Sequence, residues 1–188
     1  MLKHLGYINT EGGPILVMDA SLCRFWRGAA GDGTDYLRVC QSFDRNPNQA
    51  GAPISIGDSH AMLWEMEGAG TADAFINDHL VILRTWPCDP RDNTVPRKLA
   101  AEPLATGSEL GQIQVPTGIL VILWAAENGD CVKSLDVSEN GRPAGNMAMG
   151  SAGLILRLGK GIYNCVHDRL ETSLGTARRL HLYFTTTL

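Results

Sequence analysis

Long hydrophobic runs are missing from this sequence of 188 residues. No stretch approaches the roughly 18 consecutive apolar residues that a membrane-spanning helix needs. The opening residues, Met1 to Tyr7, have neither the apolar core nor the small-residue cleavage site of a secretory signal peptide. Both absences predict a soluble, cytoplasmic protein.

Paired cysteines are also missing. The five cysteines are odd in number, far apart and never spaced as Cys-x-x-Cys: Cys23, Cys40, Cys88, Cys131 and Cys165. This spacing argues against a disulfide framework or a zinc cluster and favours reduced thiols packed as small apolar side chains. We expect neither a bound metal nor a cofactor.

Basic residues are absent from one long stretch of the chain. No Lys or Arg occurs between Arg45 and Arg84, whereas five acidic residues fall inside this interval: Asp58, Glu65, Glu67, Asp73 and Asp78. Nucleic acids and anionic membrane surfaces are bound by clustered Lys and Arg, so neither is an expected partner. If these carboxylates share a face, their field suits a basic protein partner.

The sequence lacks a recognisable catalytic or phosphate-binding motif. No Gly-x-Ser-x-Gly segment occurs, and no serine or cysteine lies in a frame typical of a nucleophile. The glycine-rich segment 28–33 follows a predicted helix and contains no lysine, whereas a phosphate loop follows a strand and opens a helix. We therefore predict no catalytic residues and a protein that is not an enzyme.

The composition favours short strands joined by tight turns. Hydrophobic residues make up 44% of the chain, charged residues only 19%, and there are 21 glycines and 9 prolines. A chain of this length can bury a real core without disulfides or metals. The predicted fold class is α+β and β-rich, with antiparallel sheets and one or two short helices.

The segment 11–19 is the most informative stretch of the first half. A Gly-Gly-Pro break at residues 12–14 precedes four large apolar residues, Ile15 to Met18, which suit a strand covered on both faces. Asp19 or Ser21 can then cap a short helix over residues 21–26. A similar phrase returns at residues 116–123.

Three strand-like phrases recur at nearly one offset, which predicts an internal duplication of about a hundred residues. We expect a first half over residues 1–90, an irregular connection over 91–108 and a second half over 109–188, all within one compact domain. The recurring phrases are residues 14–17 with 118–121, 53–56 with 153–156, and 79–83 with 179–183.

Periodicity and turn residues predict the remaining elements. An amphipathic helix begins near Thr34, and its apolar stripe should pack against the strand at Ile15. The segment 68–72 has the composition of a flexible loop. Further strands are predicted at residues 5–9, 54–56, 61–64, 79–86, 111–115, 118–124, 131–137, 153–158, 162–167 and 179–186.

The four tryptophans are candidates for core or interface positions. Trp26, Trp86 and Trp124 are interpreted as core residues, because buried aromatic side chains contribute most to a core. Trp64 lies between acidic residues in the stretch without basic residues, and we expect it to be exposed. An aromatic ring flanked by carboxylates is typical of an interface with a basic protein.

Several of these motifs together resemble the immunity protein 21 family of bacterial polymorphic toxin systems. The resemblance begins with Gly-Gly-Pro and the apolar run of residues 11–18, followed by Trp26-Arg27-Gly28 and Asp35-Tyr36. Residues 54–58 ahead of Trp64 and the strands at 80–86 and 118–124 follow in the order of that family, whereas residues 87–107 match nothing in it.

The resemblance implies a small cytoplasmic protein, made beside a toxin gene, that binds the toxin domain and blocks its active site or substrate groove. It implies no enzymatic activity and brings no catalytic residues. Many toxins of such systems are nucleases with basic grooves, which an acidic inhibitor suits. The predicted contact region is Asp58, Trp64, Glu65, Glu67, Asp73 and Asp78.

Two alternatives stay open. The first is a small-molecule enzyme or ligand-binding domain with a site in the cleft between the halves, built from His60, His79 or His167 and a carboxylate. No pair of these histidines has the spacing of a metal site. The second is a scaffold or oligomerisation module with an exposed apolar patch. The sequence leaves the oligomeric state open.

Overall fold

The computed structural model describes residues 1–45, 48–65, 68–85, 94–132, 142–144, 152–173 and 175–188. Over these ranges the fold is α+β and β-rich, as predicted. Its helices are α1 (Thr34–Arg45) and α2 (Thr94–Ala101), with 3-10 turns at Ala20–Phe25 and Gly129–Val132. Neither described helix has the length and hydropathy needed to cross a membrane. The strands are β1 (Lys3–Thr10), β2 (Ile15–Asp19), β3 (Gly51–Ile56), β4 (Ser59–Trp64), β5 (Gly70–Ile76), β6 (Leu80–Thr85), β7 (Ser108–Val115), β8 (Ile119–Trp124), β9 (Arg142–Ala144), β10 (Gly153–Arg157), β11 (Gly161–Thr172) and β12 (Gly175–Thr186).

The strands form two six-stranded sheets whose neighbours all pair antiparallel. Sheet I has the order β1-β5-β6-β12-β11-β7, and sheet II has the order β3-β4-β2-β8-β10-β9. One apolar cluster takes side chains from both sheets, among them Ile15, Ile82, Leu120 and Leu180. The sheets therefore pack face to face as a sandwich.

Each half of the chain contributes three adjacent strands to each sheet. Read from its two edges towards its centre, sheet I gives β1-β5-β6 and β7-β11-β12, while sheet II gives β3-β4-β2 and β9-β10-β8. Each of the first six strands thus occupies a position equivalent to that of the strand six places later in the chain, from β1 with β7 to β6 with β12. This order supports the predicted duplication and places both halves around one core. The common origin of the halves stays a prediction.

One of the three recurring phrases joins strands that are not equivalent. Residues 53–56 belong to the edge strand β3, whereas residues 153–156 belong to β10, which occupies the position of β4. The match between them reflects the shared alternation of short apolar strands. The other two phrases fall on equivalent strands, β2 with β8 and β6 with β12.

β2 is covered on both faces, as its apolar run predicts. Ile15 and Val17 belong to the cluster between the sheets. Leu16 and Met18 belong to a second cluster on the outer face of sheet II, where Val39 of α1 packs. The expected packing of α1 against this strand is confirmed.

The Gly-Gly-Pro turn before β2 requires its glycines. Gly13 has φ +88°, and a Cβ atom there would lie 2.4 Å from the Tyr36 hydroxyl oxygen. A side chain would therefore meet both backbone strain and a clash with α1. The carbonyl oxygen of Gly12 accepts a hydrogen bond from Trp124 Nε1 (2.7 Å), which ties the turn to the end of β8.

The connection between the halves contains a helix, so the expectation of an irregular segment is wrong. α2 begins at Thr94, and Pro96 is tolerated because amides in the first helical turn have no carbonyl partner within the helix, so proline removes no helical hydrogen bond. Leu99 and Ala100 pack against Phe75 and other side chains on the outer face of sheet I. The apolar residues of this helix are few and lie in a segment rich in charged residues and proline, so the sequence pattern does not indicate a helix there.

Two further predicted segments differ from the structure. Residues 70–72 belong to β5 rather than to a loop, because Gly70 to Ala72 pair with β1. The predicted strand at 131–137 begins in a 3-10 turn, and its residues 133–137 lie outside the described residues, as does Trp86.

The four cysteines that the structure describes are free, as predicted. Burial raises the pKa of Cys165 to about 12. Burial, followed by the neighbouring Cys131 thiol and Asp19, raises the pKa of Cys23 to about 12. Because the thiolate is the reactive form, both side chains act as apolar core residues.

Arg179 of β12 holds the end of α2 against sheet I. Its buried guanidinium donates hydrogen bonds to the carbonyl oxygens of Leu99 (3.1 Å), Glu102 (2.6 Å) and Pro103 (2.8 Å). The last carbonyl groups of a helix lack helical partners and carry partial negative charge. Arg179 therefore caps α2 and balances its dipole.

Asp168 of β11 neutralises Arg179. Its carboxylate accepts hydrogen bonds from Arg179 Nε (2.9 Å) and Nη2, and from the amide of Ala105 (2.9 Å). Burial acts to raise the pKa of Asp168, but hydrogen bonds from His181, Arg179 and the Ala105 amide outweigh it and hold that pKa well below its usual value. The ion pair and the amide bond together fix the chain after α2 to the sheet.

Replacing Arg179 by methionine is expected to lower the free energy of unfolding by about 3–5 kcal/mol, because Asp168 stays buried without its partner. The double variant Arg179→Met, Asp168→Asn should lose less than the single variant. The matched control is Arg27→Met, which breaks an exposed pair with Asp130 (2.8 Å) and should cost less than about 1 kcal/mol. Urea denaturation measures all three, and equal losses at Arg179 and Arg27 would contradict the assignment.

Candidate functional site

Trp64 is fully buried, so the expectation that it is exposed is wrong. It ends β4, where Met62 and Trp64 both point into the cluster between the sheets. Alternation along the strand decides this orientation, because residues two apart share a face. The acidic neighbours in the sequence give no information about which face carries the ring.

The indole of Trp64 fixes the protonation pattern of His167. Trp64 Nε1 donates a hydrogen bond to His167 Nδ1 (3.1 Å), so that nitrogen is an acceptor and the neutral ring carries its proton on Nε2. Burial lowers the pKa of His167, the charge of Arg178 lowers it further, and Glu65 acts in the opposite direction. His167 is therefore held neutral as a hydrogen-bond acceptor for Trp64.

Glu65 is a buried, strained residue rather than a surface carboxylate. It is 2% exposed and has φ +60°, the one positive φ of a described residue other than glycine. Its carboxylate accepts a hydrogen bond from Arg178 Nη1 (2.6 Å), and its amide donates to the Ala50 carbonyl oxygen (2.9 Å). These bonds hold a conformation that costs about 1–3 kcal/mol.

The ion pair of Glu65 relieves a repulsion between two arginines. Arg84 of β6 and Arg178 of β12 face each other across the centre of sheet I, and like charges in this position are destabilising. Arg178 is balanced by Glu65, while Arg84 donates to the carbonyl oxygens of Gly13 (3.3 Å) and Gly68. Both charges are thereby accommodated at one end of the sandwich, which we call the Trp64 end.

A polar cleft of about 440 Å³ opens beside His167 at the Trp64 end. Residues of both halves line it: Asn48, Gln49, Ala50, Gly51, Ser108, Glu109, Leu110 and His167.

The predicted contact residues divide into a buried and an exposed group. Trp64, Glu65 and Asp73 are buried, and Asp73 accepts a hydrogen bond from His4 Nε2 (2.7 Å). Asp58 and Asp78 are exposed, in the turns before β4 and β6. Glu67 lies outside the described residues.

The two exposed carboxylates lie at the same end of the sandwich. β4 begins beside Asp58 and finishes at Trp64, and β6 begins beside Asp78 and runs towards Arg84. Arg84 contacts the carbonyl oxygen of Gly13, close to the pairing of β2 with Trp64. Asp58 and Asp78 therefore lie opposite the Trp64 end, and we call their position the Asp78 end.

An apolar cleft of about 380 Å³ lies at the Asp78 end, between the two sheets. Phe184 is 54% exposed beside it, with its ring edge-on to Tyr163. We call this feature the Asp78 cleft. Its lining residues are Ile76, Asp78, His79, Leu80, Arg157, Leu158, Gly159, Tyr163, Leu182 and Phe184.

A chain of hydrogen bonds on the outer face of sheet I joins His79 to the ion pair beneath α2. His79 Nε2 lies 3.0 Å from His181 Nδ1, and His181 Nε2 lies 3.2 Å from Asp168 Oδ1. Burial and the neighbouring His181 lower the pKa of His79, and its ring stacks on Tyr183 (4.3 Å between centroids). No local spacing in the sequence connects residue 79 with residues 168–181, so this network could not be predicted from it.

The histidines proposed for an alternative ligand site do not share one cleft. His79 lines the Asp78 cleft, His167 lines the polar cleft at the Trp64 end, and His60 is exposed near the start of β4. Within the described ranges, no group of three or more His, Cys, Asp or Glu residues is placed to hold a metal ion.

Replacing Trp64 by phenylalanine is expected to raise the pKa of His167 in part, because Nδ1 then has no indole donor and can take a proton, while the burial that chiefly lowers this pKa remains. Trp26→Phe is the matched control, since Trp26 Nε1 donates to the Ala125 carbonyl oxygen instead (3.1 Å). NMR titration of the histidine ring signals measures both variants. An unchanged His167 pKa in Trp64→Phe would contradict this account.

Comparison with known proteins gives one family. The chain matches the model of immunity protein 21 over residues 6–151, a range that contains strands of both sheets and the connection between the halves and ends before β10. No curated protein and no solved structure matches it. The match covers well over half of the chain, and it agrees with the resemblance seen in the sequence motifs. The chain belongs to the immunity protein 21 family.

Proposed function

We propose that this protein neutralises a cognate toxin domain of a bacterial polymorphic toxin system by binding to it and blocking its active site or substrate groove. Membership of the immunity protein 21 family is the observation that carries the proposal. Inhibition is by protein–protein contact, without catalysis, in the cytoplasm of the producing cell. A nuclease with a basic groove is the proposed type of toxin.

We propose the Asp78 end as the surface that faces the toxin. Asp58 and Asp78 are the exposed members of the predicted contact region, and the Asp78 cleft adds a partly exposed aromatic ring beside them. Charges at the rim of an interface speed up association, while apolar anchors at its centre contribute most of the affinity. The Asp78 end offers both. Glu67 stays a predicted contact.

The buried members of the predicted region support the fold in this proposal. Lysine in place of Glu65 would bring a third positive charge next to Arg178 and Arg84. A binding defect in that variant would then follow from destabilisation. Changes at Asp58 and Asp78 avoid this difficulty because both residues lie in exposed turns.

Co-expression with the toxin domain encoded beside this gene tests the proposal. We expect cells to survive and a stable complex to co-purify. No rescue and no complex would reject the immunity function. A small molecule or metal bound in either cleft of the purified protein would then favour the ligand-binding alternative, and a stable homo-oligomer would favour the scaffold.

The double variant Asp58→Lys, Asp78→Lys should slow association with a basic toxin by on the order of tenfold at low salt, because charge reversal removes electrostatic steering. The control is a double variant of the same charge change, Asp44→Lys, Glu171→Lys, whose sites are exposed on α1 and β11. Surface plasmon resonance at two salt concentrations measures the rates. Equal rates for both variants would remove the Asp78 end from the interface.

A further inference from the structure

The main core is open at the Asp78 end. Alternation along β12 directs Leu180, Leu182 and Phe184 to the inner face of sheet I. Leu180 and Leu182 are buried in the cluster between the sheets, whereas Phe184 is 54% exposed. A phenylalanine on the inner face of a sandwich is expected to be buried by the opposite sheet. Its exposure therefore indicates that the core is incomplete beside Phe184, where the Asp78 cleft lies.

Side chains of both sheets form the apolar walls of the cleft. Ile76, Leu80 and Leu182 come from sheet I, and Leu158 follows β10 of sheet II. All four belong to the cluster between the sheets or pack against it, and Ile76 and Leu158 are only partly buried. The cleft is therefore a continuation of the main core that reaches the surface.

Phe184 is held in place although it is exposed. Its ring lies edge-on to Tyr163 (5.6 Å between centroids) and against the backbone of Gly161, where a Cβ atom would lie 2.4 Å from Phe184 Cε2. Tyr163 is itself fixed, since its hydroxyl group donates to the Gly159 carbonyl oxygen (2.6 Å). An exposed side chain that is already ordered loses little conformational entropy when a partner covers it.

The charged groups lie at the rim of the cleft rather than in its apolar walls. Asp78 is in an exposed turn, and Arg157 is exposed at the end of β10. Alternation places Arg157 on the outer face of sheet II, because Leu156 is on the inner face. The ring of His79 lies beside His181 on the outer face of sheet I. These walls therefore suit an apolar side chain better than the charged head of a lysine or arginine.

A large apolar side chain of a partner would complete the core at this point. Ligand pockets in proteins have volumes of roughly 300–1,000 Å³, and the cleft, at about 380 Å³, has room for an aromatic or branched aliphatic side chain. Insertion removes the apolar surface of the walls and of Phe184 from water, which favours association. An aromatic side chain would also make edge-on contacts with Phe184 and Tyr163.

We propose that the Asp78 cleft receives a large apolar side chain of the toxin, and that Phe184 packs on this side chain from the side of the solvent. The identity of the partner rests on the proposed immunity function. The preference for an apolar side chain rests on the walls of the cleft and on the exposed, ordered ring of Phe184.

Charge favours a different protein over a second copy of this chain as the occupant. The chain has a net charge of −4, and Asp58 and Asp78 are exposed at the end where the cleft lies. Two copies of the chain therefore repel each other, whereas a basic toxin is attracted. The partner that fits is a basic protein with an apolar side chain at the centre of its contact surface.

The first experiment compares the binding of Phe184→Ala and Leu104→Ala to the toxin domain. Phe184→Ala should weaken binding by about tenfold or more, mainly through faster dissociation, because it removes an apolar anchor. Phe184→Leu keeps part of the apolar surface and should lose less. Leu104 is the matched control: it is 45% exposed and lies beside Gly107, just before β7 begins at the Trp64 end.

Salt separates this contact from electrostatic steering. The loss in Phe184→Ala should be the same at low and high salt, because burial of apolar surface is not screened, whereas charged contacts weaken. Urea denaturation should show a free energy of unfolding close to that of the native protein, since the replaced ring is exposed. A binding loss that follows a loss of stability, or that disappears at high salt, would contradict the proposed contact.

A second experiment needs no toxin. The protein is titrated with N-acetylphenylalanine amide while the methyl signals of Ile76, Leu158 and Leu182 are followed by NMR. Saturable shifts are expected at these methyl groups, with weaker binding in Phe184→Ala and no comparable shifts with N-acetylarginine amide. Absence of saturable shifts in the native protein, or equal binding of both derivatives, would overturn the assignment of the cleft to an apolar side chain.

The outcomes distinguish this inference from the immunity function. If the toxin binds but Phe184→Ala behaves like Leu104→Ala, the cleft inference is wrong and the immunity function stands. If no toxin binds but the phenylalanine derivative produces the expected shifts, the cleft recognises apolar side chains and the immunity function is wrong. A dimer in sedimentation equilibrium that Phe184→Ala abolishes would assign the cleft to a second copy and overturn the choice of the toxin as occupant.

Discussion

The buried pair of Arg179 and Asp168 is the interaction on which the arrangement of this protein depends. Both sheets draw strands from both halves, so the connection between the halves must pass over the fold and be fixed there. Arg179 fixes it by capping α2, and Asp168 makes a buried arginine tolerable. The same carboxylate orients His181, which in turn orients the ring of His79 on the outer face of sheet I, next to Asp78 in the chain. A structural ion pair thus extends into the proposed binding surface.

Carboxylates from one stretch of sequence have different physical roles in this fold. Glu65 neutralises the partly buried Arg178, Asp73 pairs with a histidine, and Asp58 and Asp78 face solvent. The stretch contains no basic residue, yet Arg178 comes from a distant strand to balance one of its acids. Net charge along a sequence therefore overstates the charge that reaches the surface, because long-range pairing removes part of it.

The fold class, β2, α1 and the repeated strand order follow from the sequence because periodicity and turn residues are local signals. α2 was missed because its apolar residues are few and stand among prolines and charges. The face of sheet II on which Trp64 lies could not be predicted, since it depends on the register of β4 against its neighbours. The network of His79, His181 and Asp168 was hidden for a similar reason. Its members meet only when β12 pairs with β6 and β11.

Neither half of the chain can complete its own sheets. β2 and β6 are the innermost strands of the first half, and their apolar side chains lie along open edges until β8 and β12 are added. A ribosome adds roughly 5–20 residues per second, so these strand edges stay unpaired for several seconds during synthesis. An open, apolar strand edge is a template for pairing with other chains. The supply of folded protein in a cell then depends on protection of the nascent first half as well as on the stability of the finished sandwich.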